Sequence, residues 1–182
     1  MFLRIVPVGG PLPEILETVK NELESNLNIK CRVMGGLSVP EESFNRWRNQ
    51  YNAEVVMDLL SKLSEVKFID RNIPTLMITD ADLYYSGLNF VFGLEDPSKS
   101  AAIVSLARLR PEFYDERPNL TLLKERATKE VIHEIGHYLG LFHCDNPNCV
   151  MSFSPSVKDV DTKQKYFCDN CKVKLMTRGI MF

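Results

Sequence analysis

At 182 residues, with 45% hydrophobic and 25% charged side chains, the chain has the composition of an ordinary folded domain, long enough to bury roughly two-thirds of the surface its unfolded form exposes. A formal net charge of −2, with 22 Lys and Arg mixed among 24 Asp and Glu, leaves no basic field to favour nucleic acid or an anionic membrane surface. No apolar run approaches the roughly 18 residues of a spanning helix, and the opening MFLRIVPVGG lacks a basic leader and is broken by Arg4 and Pro7, so neither a membrane protein nor a signal peptide is expected and the reading is cytoplasmic.

In chain order, residues 2–8 (FLRIVPV) are β-prone and end at Gly9 and Gly10, which predicts a buried first strand. Pro11 and Pro13 then open a segment in which Ile15, Leu16, Val19, Leu23 and Leu27 recur at helical spacing, and a short strand around Cys31 and Val33 follows before Gly35 and Gly36. Residues 40–52 are irregular, and Arg46, Trp47 and Arg48 read as a solvated loop with one anchored tryptophan. Asn52 is the expected N-cap of a second helix with Val55, Val56, Leu59, Leu60 and Leu63 on its stripe.

TLMIT (75–79) predicts a strand that leads into Asp80 and Asp82, two acids read as turn chemistry rather than as a catalytic pair. Residues 88–93 and 101–107 read as two further strands separated by the turn LEDPSKS, and 108–118 as a loop between Pro111 and Pro118. A long helix should run from about Asn119 to Leu139, with Leu123, Ala127 and Val131 on its buried stripe. Strands alternating with helices call for an α/β layer fold with a mostly parallel sheet. The expectation is a single domain over 1–182, with 1–118 carrying the sheet and 119–182 carrying the long helix and a cysteine-bearing region.

The three histidines of the chain all lie in HEIGHYLGLFH. Random placement would give the spacing of His133, His137 and His143 roughly once in six thousand trials. On a helix His133 and His137 are one turn apart on one face, so both imidazoles can reach a single zinc ion; Gly140 can end the helix in a left-handed conformation and let His143 return as a third ligand. Three neutral imidazoles leave a fourth position for water, and Glu134, about 100° round the helix from His133, is placed as general base. The rival reading of Glu134 is an ordinary solvated glutamate.

Cys144, Cys149, Cys168 and Cys171 form two short-spaced pairs, the arrangement by which two hairpins hold a structural zinc through four thiolates. Two disulfides are the alternative; the lack of a secretion signal weighs against them. Cys31 stands apart in a strand and reads as a buried hydrophobe. A four-cysteine module that binds nucleic acid is disfavoured, because around the cysteines there are only Lys158, Lys163, Lys165, Lys172 and Lys174.

HExxHxxGxxH, then Cys144, Cys149 and Met151 as CxxxxCxM, then CxxC at Cys168 and Cys171, resembles the archaemetzincin family of metzincin zinc metallopeptidases; RWRNQYNA (46–53) and TDADLYYSGLNFVFG (79–93) are similar to that family too. The resemblance implies a peptide or protein substrate, two zinc ions (one catalytic, one structural), and Met151 as a Met-turn beneath the imidazoles, with a core-filling methionine as the alternative. It also implies an antiparallel edge strand above the cleft, for which Asn89, Phe90, Val91 and Phe92 are the best fit. Some other metzincins carry a tyrosine ligand two residues after the methionine; here Phe153 has no phenol. No latency pro-segment is expected before the first strand. A catalytically idle, zinc-stabilised peptide-binding module is the rival function, and oligomeric state is not readable from the sequence.

Overall fold

The computed structural model describes residues 1–62 and 73–180. Apolar without alternation apart from Arg4, Phe2–Val8 forms β1, a strand covered on both faces. Helix α1 (Pro13–Leu27) begins with a proline, which is tolerated where the first N–H groups lack helical partners, buries Ile15, Leu16, Val19, Leu23 and Leu27, and stops at the left-handed Asn28. Lys30–Val33 follows as β2. Two short strands, β3 (Phe44–Asn45) and β4 (Gln50–Asn52), lead into α2 (Ala53–Lys62). Asn52 caps α2 as expected, its Oδ1 accepting from the N–H groups of Glu54 (3.0 Å) and Val55 (3.2 Å). Val56 and Leu60 of the expected stripe are buried, and Leu63 lies outside the described residues.

Next come β5 (Thr75–Thr79), β6 (Leu83–Tyr84), β7 (Gly93–Asp96) and β8 (Ala101–Ser105), then helices α3 (Leu120–Tyr138), α4 (Val157–Thr162) and α5 (Asp169–Met176). The main sheet has the order β2-β1-β5-β8-β7; its first four strands are parallel, and β7 runs antiparallel to β8 at the edge. A small second sheet has the order β3-β4-β6.

Because successive side chains in a strand point to opposite faces, β1, β5 and β8 divide their residues between two cores. Ile5, Ile78 and Val104 pack with Leu23 of α1 and with Leu123, Val131 and Ile135 of α3. Val6, Met77 and Ile103 pack with Val56, Met57 and Leu60 of α2. The mixed, mostly parallel sheet and the long helix agree with the fold read from the sequence.

Two local expectations are corrected. The antiparallel edge strand is Gly93–Asp96, not residues 89–92. Asp96 Oδ1 accepts from Ser98 N–H at 3.0 Å and caps a turn over Pro97–Lys99, so the turn begins only at Asp96 and Leu94 and Glu95 remain in the ladder. Residues 88–92 instead form an irregular wall, held by side chains at its start and by main-chain bonds at its end, where Val91 N–H donates to the Leu83 carbonyl (3.0 Å) and the Phe92 carbonyl accepts from Ser105 N–H (2.8 Å). Arg48 Nη2 donates to the carbonyls of Leu88 (2.8 Å) and Asn89 (2.9 Å), and Gln50 Nε2 donates to the Asn89 carbonyl at 3.1 Å. Trp47, expected to anchor its loop, is 98% exposed. The anchor is Arg48, whose guanidinium lies 4.4 Å over the Tyr84 ring. Asp80 and Asp82 pair with Arg110 (2.5 Å) and Arg108 (2.8 Å), in keeping with a structural turn.

The C-terminal region is tied to α3 through charge. Arg126 on α3 donates from Nε and Nη2 to both carboxylate oxygens of Asp161 at 2.7 Å. Lys163 Nζ approaches Glu130 Oε1 at 2.7 Å with both side chains nearly sealed from solvent, at 1% and 4% exposure. Removing one partner of such a pair leaves a buried charge uncompensated. Lys163→Met is therefore expected to lose about 3–5 kcal/mol in denaturant unfolding, with much of the loss recovered in the Lys163→Met/Glu130→Leu double variant; a single variant as stable as the parent contradicts this role for the pair.

Candidate metal centre and active site

Helix α3 presents His133 and His137 one turn apart, and each ring is oriented from behind. The Nδ1 of His133 lies 2.8 Å from the Val150 carbonyl, and that of His137 lies 2.9 Å from the Leu141 carbonyl. A carbonyl only accepts, so each Nδ1 carries the proton and each Nε2 is left with a bare lone pair. These two Nε2 atoms lie 3.0 Å apart, and two facing lone pairs at that distance repel unless a cation lies between them. Two nitrogens on one tetrahedral zinc are separated by about 3.3 Å, close to this spacing.

His143 completes the group, its ring centroid 4.9 Å from that of His137 and 5.3 Å from that of His133, and the three ligand nitrogens lie within 4.8 Å of one another. Burial, with the Lys163 charge and smaller contributions nearby, pushes the His133 pKa down to about 2; burial also lowers those of His137 and His143. All three are neutral near pH 7, as metal ligation requires. The donor set and its spacing fit zinc.

The turn that brings His143 back depends on two glycines. Gly140 has φ of +87°, and the chain leaves the helix through Leu141 N–H, which donates to the Gly136 carbonyl at 2.9 Å. A Cβ on Gly140 would collide with the Arg178 guanidinium, whose Nη1 donates to the Leu139 carbonyl at 3.2 Å. Gly136, inside the helix, leaves room for the buried Met151 sulfur to lie directly against its backbone. Cys144 N–H donates to the Met151 carbonyl at 2.9 Å, which fixes the methionine below the histidine-bearing turn, where the resemblance places a Met-turn.

Glu134 is buried, with its carboxylate against Gly93 of β7, where any side chain would overlap it. Burial raises its pKa well above the usual glutamate value; Glu130 and Glu95 raise it further and Lys163 opposes them. Between α3 and β7 opens a cleft of about 410 Å3, lined by Glu130, His133, Glu134, His137 and His143 on one side and by Tyr85, Leu88, Phe90 and residues 91–95 on the other. Phe153 stands at its rim, its ring 5.1 Å from that of His143.

The four clustered cysteines also come together. Cys144 and Cys168 sulfurs are 3.7 Å apart, and Cys149 and Cys171 sulfurs 3.8 Å, far beyond a disulfide bond of about 2.05 Å. Four thiolates around one tetrahedral zinc place sulfurs about 3.8 Å apart, so this set also fits the metal. Cys168 N–H donates to Cys149 Sγ at 3.3 Å, a bond that supports a thiolate. Cys31 is apart from them and buried, and burial, with the nearby Glu24, pushes its thiol up to about 12, consistent with an inert core residue.

Every residue singled out in the two metal motifs is in one of these clusters or against it. Others in or beside the cleft carry weak sequence signals. Gly136 lies within the motif as a variable position, Gly93 reads as the end of a strand, Glu95 as part of a turn, and nothing in the local pattern distinguishes Lys163 or Glu130 from surface charges.

The comparisons agree with the geometry. The model of Peptidase family M54 matches residues 12–177. The archaemetzincin of Methanocaldococcus jannaschii is 42% identical over 180 residues, which is 99% of this chain and 96% of that protein, and that of Pyrococcus furiosus is 41% identical over 96% and 92%. Among solved structures, a zinc-dependent peptidase from Methanocorpusculum labreanum has a TM-score of 0.85 at 33% identity, covering 95% of this chain and 99% of that one. The archaemetzincin of Archaeoglobus fulgidus, solved with malonate, has a TM-score of 0.81 at 35% identity, covering 96% and 99%. With its family model matched across most of its length, the chain belongs to peptidase family M54, the archaemetzincins, and is a zinc-dependent metallopeptidase.

Proposed function

We propose that the whole chain works as one catalytic unit that hydrolyses peptide bonds in the cleft between α3 and β7, with His133, His137 and His143 holding a catalytic zinc and Cys144, Cys149, Cys168 and Cys171 a structural one. The observation that carries the catalytic site is the pair of Nε2 lone pairs 3.0 Å apart, each fixed by an Nδ1 bond to a backbone carbonyl, beside a buried carboxylate. Zinc, when bound, polarises a scissile carbonyl and makes water acidic enough to deprotonate near neutral pH.

The chain's own groups do the rest. β7 is the last strand of its sheet, so the outward N–H and C=O groups of Gly93–Asp96 can receive an extended peptide as an added strand. Glu134 takes a proton from water in the cleft as general base and returns it to the leaving amine as general acid. Met151 supports the helix turn from below. Phe153 offers no hydroxyl to a developing oxyanion, so at that position the rim shapes the cleft without taking part in proton transfer.

In a peptide mixture read by mass spectrometry at matched zinc content, wild type should produce defined cuts and Glu134→Ala should lose at least about 100-fold in rate while keeping its zinc. Equal cutting by the variant removes Glu134 as the base; a zinc-loaded wild type that cuts nothing points to a peptide-binding module instead. At the second site, Cys168→Ser is expected to reduce zinc per chain by one and to lower stability, because structural metal binding is folding free energy. A loss of about 3 kcal/mol would lower the thermal midpoint by roughly 6–12 °C; an unchanged midpoint and zinc content would exclude Cys168 as a ligand.

A further inference from the structure

Glu95 is a carboxylate in the cleft that makes no ion pair among the described residues. Its place follows from strand and helix directions. The N-terminal half of α3 lies near the C-terminal end of β8, because Arg126 Nη1 donates to the carbonyl of Leu109 at 2.9 Å, just past that strand. Leu139 at the far end of α3 shares a small surface cavity with Met1, at the start of β1. Helix α3 therefore runs against β1 and β8, and β7, antiparallel to β8, runs in the same sense as the helix. Gly93 abuts Glu134, so Glu95 lies further along toward the His137 end of the cleft. Alternation puts Glu95 on the same face as Gly93, while Leu94 between them packs into the opposite core.

Oε1 of Glu95 is buried, and among the described residues no hydrogen bond reaches it. The nearby cations are engaged elsewhere: Lys99 pairs with Asp96 and with Asp58 (2.9 Å), and Lys163 pairs with Glu130. Burial and the neighbouring Asp96 raise the Glu95 pKa. An unpaired buried acceptor carries a desolvation cost that a bound cation would remove. A peptide added along β7 would place alternate side chains on the face that carries Glu95, within the reach of a long side chain.

We infer that Glu95 is a specificity-determining residue that receives a cationic group of the substrate, either a Lys or Arg side chain near the scissile bond or the free ammonium of the peptide's N-terminus. The inference rests on the peptidase reading of the same cleft. In contrast to Glu134, Glu95 takes no part in proton transfer; it sorts peptides by charge.

The test compares zinc-loaded wild type with Glu95→Gln, a variant of the same shape, after checking that zinc content and thermal midpoint are unchanged. Matched peptides carry Lys, Arg or norleucine at each position in turn, with free or acetylated N-termini. Cleavage is read as kcat/KM, and binding is read by fluorescence anisotropy on zinc-loaded Glu134→Ala with and without Glu95→Gln. Wild type should favour cationic peptides by about tenfold or more, and Glu95→Gln should abolish the preference, so that cationic and norleucine peptides are cut with equal kcat/KM even where loss of the charge near Glu134 changes the rate common to both. A preference that survives acetylation identifies a side chain as the cation, and one lost on acetylation identifies the terminal ammonium; both support the assignment. Equal handling of cationic and neutral peptides, or a preference unchanged in Glu95→Gln, overturns it while continued cleavage leaves the peptidase reading standing. Failure to bind or cut any peptide overturns both.

Discussion

Two hydrogen bonds organise the functional half of this molecule: His133 Nδ1–H to the Val150 carbonyl and His137 Nδ1–H to the Leu141 carbonyl. They fix the tautomer of both rings and turn two lone pairs toward the same point. Both acceptors lie on the segment that follows α3, so the rings are aimed correctly only if that segment is folded. Its path depends on a left-handed Gly140, on the close approach of Met151 to Gly136, and on Cys144 and Cys149, which join it to Cys168 and Cys171. On this account the four-cysteine cluster serves chemistry at a distance: it holds the backbone carbonyls that orient the histidines. The outer hydrogen bonds of a ligand histidine matter to affinity nearly as much as the ligand itself.

The same helix carries an unusual number of buried polar side chains on its way to the site, among them Arg126, Thr128, Lys129, Glu130, His133 and Glu134. Each charge has an identifiable reason. Arg126 and Lys129 bond to Asp161, and Glu130 pairs with Lys163, so the helix is joined to the C-terminal region along one side while its apolar stripe packs on the sheet. Buried pairs of this kind add little net stability compared with apolar packing, but they penalise any arrangement that separates the partners. That is suited to a site whose histidines and glutamate must keep a fixed relation to β7 across the cleft. The other wall is held differently: Arg48 and Gln50 bond to backbone carbonyls of Leu88 and Asn89, and Arg108 lies between the rings of Phe90 and Phe113 while pairing with Asp82. The two segments outside the metal motifs that resemble the family, 46–53 and 79–93, thus meet to form this wall.

Much of this was readable from the sequence because it follows from spacing. The stripe of α1, the cap at Asn52, the start of α3 near Asn119, and the histidine and cysteine clusters are local patterns, and local patterns survive folding. What escaped depends on partners distant in the chain. The edge strand expected at 89–92 lies instead at Gly93–Asp96: the Asn89 carbonyl is taken by Arg48 and Gln50, about 40 positions earlier, and Val91 N–H donates to the Leu83 carbonyl outside the main sheet, so the ladder passes to the more polar residues that follow. Trp47 was expected to anchor its loop because tryptophans are seldom left in solvent, whereas the adjacent arginine does so by bonding to the cleft wall. Lys163 and Glu130 each look like surface charges, and only the fold buries them together.

The central claim, that the histidine and cysteine clusters each hold a zinc ion, is tested most directly by zinc K-edge X-ray absorption on the purified protein, combined with its zinc content. The account predicts two zinc ions per chain and an average first shell with nitrogen or oxygen at about 2.0–2.1 Å and sulfur at about 2.3 Å in comparable weight. One zinc per chain with a shell of sulfur alone would contradict it, because the facing imidazoles would then have no metal to hold.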